Sequence, residues 1–97
     1  MLQEETLRKF TQRQAGAGTR ALGWDTPDPR GSGAAGLGIS ARSFGHTGFT
    51  GTSLWVDPER GTWTVLLSNR TFEPRGPNRM QSLRRQVNDL VAAATEE

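Results

Sequence analysis

Residues 43–69 read SFGHTGFTGTSLWVDPERGTWTVLLSN, and the fold turns on how this stretch is parsed. Phe44–Val56 and Thr62–Ser68 are rich in Thr, Trp, Val and Leu, the residue types that suit a pleated, half-buried surface. Between them lies Asp57-Pro58-Glu59-Arg60-Gly61. Proline at the second turn position and glycine at the end make this connection a hairpin. In the second run Trp63, Val65 and Leu67 share one face while Thr64 and Leu66 share the other. Apolar residues on both faces predict a hairpin inside a larger sheet covered on both sides. The first run is less regular. It holds Gly45, Gly48, Gly51 and the chain's one histidine, His46. Glycines inside a strand mark either a bulge or a close approach by something else. Gly45 and Gly48 remove side chains next to the imidazole, and Thr47 and Thr50 supply hydroxyls beside it. N–H groups on an open strand edge can also stabilise an oxyanion.

Working outward, Met80, Leu83, Val87, Leu90, Val91 and Ala94 recur at three- and four-residue spacings and define an amphipathic helix over about 78–94. Asn78 followed by Gln81 resembles a capping box, and Pro77 suits the start of a helix. Upstream, residues 4–14 form a short helix with acids first and Arg8, Lys9 and Arg13 later, the order that the helix dipole favours. Leu7 and Phe10 lie on one face of it. Residues 19–24, TRALGW, read as a short strand. Residues 25–42 read as a loop, with Pro27, Pro29 and repeated glycines. The order of helix, strand, long loop, hairpin and helix gives an α+β protein, an antiparallel sheet flanked by helices. GSGAAG at Gly31–Gly36 has the G-x-G-x-x-G spacing. It lacks the preceding buried strand that a dinucleotide site needs, and Pro27 and Pro29 stand there instead.

Composition removes several function classes. Ninety-seven residues make one small domain, and 33% hydrophobic content is low for a self-sufficient core. Without cysteine there is no disulfide staple or thiolate zinc site, and no motif calls for a metal or cofactor. The net charge is only +2, and Lys9 is the single lysine among 12 basic residues. The arginines are scattered and interleaved with acids, whereas a nucleic-acid binder gathers them on one face. No apolar run approaches the length of a membrane span, so no membrane segment is expected. The compartment stays open. The Asn69-Arg70-Thr71 sequon carries no weight without evidence of secretion.

The run from Arg42 to Pro58 and on through Leu66-Leu67-Ser68-Asn69-Arg70 resembles the C-terminal part of the β-lactamase-related serine hydrolases. These include class C β-lactamases, penicillin-binding-protein-like peptidases and esterases. His46-Thr47-Gly48 is similar to the family's third motif, K-T-G, with histidine for lysine. Leu22-Gly23-Trp24 resembles the strand before it, and the last helix resembles the one that packs on the family's sheet. The resemblance implies the C-terminal portion of a β-lactamase/transpeptidase-like fold, with this strand as one wall of a substrate cleft. His46 would supply positive charge or a hydrogen bond, Thr47 would contact substrate, and the Phe49 backbone N–H would be an oxyanion donor. Gly48 and Thr50 would border the bound substrate. The substrate would be a small ester, amide or β-lactam, cleaved through an acyl-serine.

Two family elements are not in the sequence. The nucleophile motif S-x-x-K has no counterpart, since Thr6 stands three before the only lysine, Lys9. Y-x-N has none either, because the chain has no tyrosine. The resemblance therefore implies a piece that is inactive alone and completed by the N-terminal portion of the same fold. A non-catalytic module pairing through its sheet edge is the alternative.

Overall fold

The computed structural model describes residues 2–31, 33–72 and 79–95. Strands β1 (Phe44–Thr47), β2 (Ser53–Asp57) and β3 (Thr62–Leu66) form one antiparallel sheet in the order β1-β2-β3. Helix α1 (Glu4–Thr11) precedes the sheet, and α2 (Met80–Ala94) follows it after a 3-10 turn at Arg70–Phe72. The class is α+β, as the sequence indicates.

Several element bounds differ from the sequence reading. The first β-rich run is two strands, because the chain reverses at residues 48–52, where the Gly48 N–H bonds Thr52 O at 2.8 Å and the Gly51 N–H bonds Gly48 O at 3.0 Å. The second strand ends at Leu66 rather than Ser68. Helix α1 stops at Thr11 instead of residue 14. Beyond it, Arg13 is drawn away by Thr26 Oγ1 at 3.0 Å and by the Pro27 carbonyl, and the Gln14 N–H bonds Arg20 O at 2.9 Å. Residues 19–24 are not a strand. Arg20 and Asp25 face each other as an isolated bridge, so the chain turns back through Ala21–Trp24. Gly23 sits at φ +79°, a conformation that side chains resist, and this permits the reversal. Helix α2 begins at Met80, with Arg79 as its N-cap and no side-chain cap bond. The capping box at Asn78 lies outside the described residues.

Strand alternation sorts the sheet into two faces. Ser53, Trp55 and Asp57 are buried on one. Directly opposite them lie Thr47 and Gly45 on β1, and Leu66, Thr64 and Thr62 on β3. Trp55, 2% exposed, forms the apolar core with Ala34 and Ala35, and Ile39 packs at its margin. The glycine-rich loop therefore lines the core, and its small residues let it fit between Trp55 and α2. A side chain at Gly36 would collide with the Asp89 carboxylate. The other face carries Phe44, His46, Leu54, Val56, Trp63 and Val65. Trp24 meets Phe44 there edge to face at 5.1 Å. Coverage on both sides, as expected for β3, is not found among the described residues. Trp63 is 68% exposed, and Leu67, just past the strand end, 79%.

Helix α2 is rotated relative to its apolar pattern. Its buried residues are Met80, Arg84, Asn88 and Ala92, a stripe with a spacing of four. Leu83 and Leu90 point away, and Leu90 is 70% exposed. Polar contacts set this rotation. Asn88 Nδ2 donates to Ala34 O at 3.3 Å, while Asp89 Oδ1 accepts from the Leu37 and Gly38 N–H groups at 3.0 and 2.9 Å. Arg60 donates to Ala92 O at 2.8 Å, placing a cation where the helix dipole favours one.

The β2–β3 turn is organised by Asp57. Its buried carboxylate accepts from Ser40 Oγ (2.6 Å), Ser40 N (2.9 Å), Glu59 N (3.1 Å) and Arg60 N (3.2 Å). Gly61, at φ +67°, completes the turn. Burial alone would raise the Asp57 pKa, but the hydrogen bonds from Ser40, Arg60 and Glu59 outweigh it and hold the carboxyl below its ordinary value. A depressed folded-state pKa stabilises the fold fully above the unfolded value of about 3.9, and that stabilisation is lost as pH falls through the folded value. We expect urea unfolding to show stability falling on acidification below about pH 4. In Asp57→Asn that part of the acid loss should vanish. An identical acid profile in the variant would reject the assignment.

Candidate active site

The motif residues occupy the end of β1 and the turn that follows. On its outer edge β1 pairs, among the described residues, with Asp25 alone. The Asp25 N–H bonds Gly45 O at 2.7 Å and the Gly45 N–H bonds Asp25 O at 2.9 Å. His46 is exposed, one position further on. Its Nδ1 lies 2.7 Å from Thr47 O, and its Nε2 lies 3.0 Å from Nη1 of Arg20. Thr47, opposite Ser53, falls on the Trp55 side of the sheet, while His46, opposite Leu54, falls on the other. The two motif side chains are therefore consecutive but divided between faces.

Two arginines hold the turn after β1. Arg84, buried on α2, donates through Nη2 to Gly48 O at 3.0 Å and through Nε to Gly51 O at 3.2 Å. Arg70 donates through Nε to Phe49 O at 2.8 Å, and its backbone N–H bonds Thr50 O at 2.8 Å. The Arg70 guanidinium also lies over the Phe49 ring, 4.6 Å from its centroid. Burial, and then the nearby Arg70 charge, lower the pKa of Arg84 from its ordinary value. A guanidinium tolerates this and stays charged. Four carbonyls of the turn are thereby fixed. The Phe49 N–H takes no hydrogen-bond partner among the described residues, and Thr50 is exposed. A fixed donor without a partner can stabilise developing negative charge at little reorganisation cost.

The glycines have structural reasons. At Gly45 a Cβ would collide with the Leu54 carbonyl and lie 2.6 and 2.7 Å from the Trp55 ring. At Gly48 it would meet Thr52 Oγ1, and at Gly51 it would meet Ser68 Oγ and stand 3.1 Å from Met80 Cε. Close contacts within the fold thus give each of the three a structural reason. Arg20, Arg70 and Arg84 were not singled out by sequence reasoning. The only signal was Arg84 in register with Met80, four residues before it, on what proves to be the buried stripe.

A groove of about 640 Å³ lies beside Phe44 and Val56, walled by Leu7 and Arg8 of α1 and by Arg42. None of His46, Thr47, Gly48 or Phe49 lines it. Among the described residues no cluster of three or more His, Asp or Glu could hold a metal, and no helix is long and apolar enough to cross a membrane.

Comparison with known proteins agrees with the α+β class and gives a family. The family model for beta-lactamase matches residues 1–89. The chain belongs to that family, and so to a class of serine hydrolases related to the penicillin-binding proteins. It is 34% identical over 80 residues to proteins of Salmonella paratyphi B, Salmonella newport and Salmonella heidelberg, each described as a "Putative D-alanyl-D-alanine carboxypeptidase". The match takes in 76% of this chain and 17% of each relative, so the chain spans about a sixth of their length. No solved structure matches the chain.

Proposed function

We propose that the chain is the C-terminal part of a serine hydrolase that cleaves an ester, amide or β-lactam through an acyl-serine. On this reading it contributes a cleft wall, not the nucleophile. His46 and Thr47 stand on the motif strand, Gly48 and Thr50 border the substrate, and the Phe49 N–H is an oxyanion donor. The observation that carries the reading is the rigidly clamped turn with its unpartnered Phe49 N–H, next to a motif strand in a chain without S-x-x-K or tyrosine. The name of the Salmonella relatives favours a peptide ending in D-alanyl-D-alanine as the substrate class.

The N-terminal portion of the same fold would complete the enzyme. Among the described residues strand β3 has a free outer edge, and Trp63, Val65 and Leu67 lie exposed on one side of it. Leu83 and Leu90 of α2 add further exposed apolar surface. An additional strand beside β3 would satisfy its backbone, and a layer packed on the sheet face would cover these residues.

A fluorophosphonate probe and a fluorescent penicillin test the proposal. The 97-residue chain alone should take up neither. Co-expressed with the preceding segment of a Salmonella relative, which is expected to carry S-x-x-K and Y-x-N, it should restore labelling, with the label on the co-expressed segment. Stoichiometric labelling of this chain alone would refute the reading. Assembly without labelling would favour the alternative, a non-catalytic module that pairs through its sheet edge.

A further inference from the structure

The contacts of His46 define its chemical state. Nε2 lies 3.0 Å from Arg20 Nη1. A guanidinium has only donors and does not lose its proton in proteins, so Nε2 must be the acceptor of that bond. Nδ1 lies 2.7 Å from the Thr47 carbonyl, which only accepts, so Nδ1 carries the hydrogen. The two contacts are compatible with one form of the ring, neutral with hydrogen on Nδ1.

The backbone around Arg20 is pinned at several points. The Arg20 N–H bonds Ala17 O at 3.1 Å, and its carbonyl accepts from the Gln14 N–H at 2.9 Å. Arg20 bridges to Asp25, and Asp25 bridges to Gly45, the residue before His46. The turn at Ala21–Trp24 thus serves to deliver Arg20 to the strand. The Asp25 carboxylate is occupied by Thr19 Oγ1 at 2.7 Å and the Thr26 N–H at 2.9 Å. Arg20 forms no ion pair among the described residues, and its guanidinium remains available to whatever approaches His46.

We propose that Arg20 is a positioning residue for His46, fixing the imidazole as the neutral Nδ1–H tautomer and supplying the permanent positive charge of the motif strand. This rests on the hydrolase reading for its placement in a cleft. In the family's K-T-G version one lysine is both charge and hydrogen-bond donor. Here the two duties are divided, with Arg20 holding the charge and His46 setting the shape. Because the guanidinium does not titrate, the charge is independent of the state of the imidazole.

Long-range 1H–15N spectra of the imidazole in the 15N-labelled chain at pH 7 test this. The expected wild-type pattern has Nδ1 protonated and Nε2 bare. Arg20→Met should shift the ring toward the Nε2–H tautomer that free imidazole prefers, and Arg20→Lys should keep the wild-type pattern. A wild-type ring that is Nε2–H or doubly protonated overturns the proposal, as does an Arg20→Met pattern identical to wild type. The Trp55 indole and amide resonances report the fold in each variant. Their collapse in Arg20→Met also counts against a positioning role, since an exposed side chain that only orients a neighbour leaves the core intact. Acyl-probe labelling is a separate readout, so the tautomer and the hydrolase assignment fail or survive independently.

Discussion

Gly45→Ala should destabilise the fold severely, although it adds a single methyl group. The new Cβ would strike the Leu54 carbonyl and stand 2.6 Å from the Trp55 ring. A flexible side chain could swing aside, but a backbone carbonyl in a sheet and the most buried aromatic ring cannot. Overpacking typically costs about 1–3 kcal/mol, and two unyielding neighbours put this case at about 3 kcal/mol. Among the described residues the buried apolar side chains are Trp55, Ala34, Ala35, Met80 and Ala92, mostly small, so little stability is held in reserve. Urea unfolding followed by tryptophan fluorescence would show a lowered midpoint or no transition. Gly48→Ala is the control. Its new Cβ would meet the hydroxyl of Thr52, which can rotate, and about 1 kcal/mol is expected. The pair separates two explanations of Gly45. If it were there only to admit a ligand, Gly45→Ala would melt like wild type.

That contrast marks where sequence reading of the site reached its limit. The place of His46 in a β-rich run was legible from local composition and the H-T-G motif from the family resemblance, but the sequence reads the turn at residues 48–52 as part of one continuous strand. The reason for the glycines was not legible. Gly45 answers to Trp55, ten residues on and across the sheet, and Gly51 to Ser68 and Met80. Glycine reads the same in a sequence whether the space beside it is filled by an indole or left for a substrate. Arg20 was hidden for a related reason. TRALGW has the composition of a strand, but its register with Asp25 folds it back, and only the folded chain brings Arg20 to His46, twenty-six residues later.

The fold shows the same division between local and distant causes. The Asp57–Gly61 turn, the α+β order and the terminal helix follow from local chemistry. The rotation of α2 does not. Six apolar residues define its hydrophobic face, yet Asn88 and Asp89 bond the loop at residues 34–38 and turn Leu83 and Leu90 outward. Periodicity identifies a helix and its apolar side. It does not say which part of that side this chain covers and which part would be left for a neighbour. The same holds for β3, where Trp63, Val65 and Leu67 predict a covering layer that the described residues do not supply.

Arg84→Ala should combine a stability loss with a specific effect on the turn. Arg84 is 8% exposed and bonds Gly48 O and Gly51 O from the buried stripe of α2. Truncation leaves two carbonyls without their charged donor and opens a cavity beside them. A hydrogen bond to a charged group contributes about 1.5–3 kcal/mol, so a loss of about 3 kcal/mol is expected. Arg84→Met restores part of the packing but no donor, and should recover only part of the loss. Arg84→Lys has one ammonium where two carbonyls diverge, and should fall between Met and wild type. Hydrogen exchange at the Gly51 N–H, which bonds Gly48 O within the turn, would report the local loosening. In the co-expressed assembly the consequence should reach the chemistry. Arg84 is buried and holds the turn that bears the Phe49 N–H; if that N–H is the proposed oxyanion donor, misplacing it by about 1 Å can cost on the order of 10²-fold in rate. A donor needed mainly in the transition state would lower kcat with little change in KM. Unchanged unfolding in Arg84→Ala would remove the clamp from the account, while a raised KM with normal kcat would leave the clamp in place and remove the Phe49 N–H as an oxyanion donor.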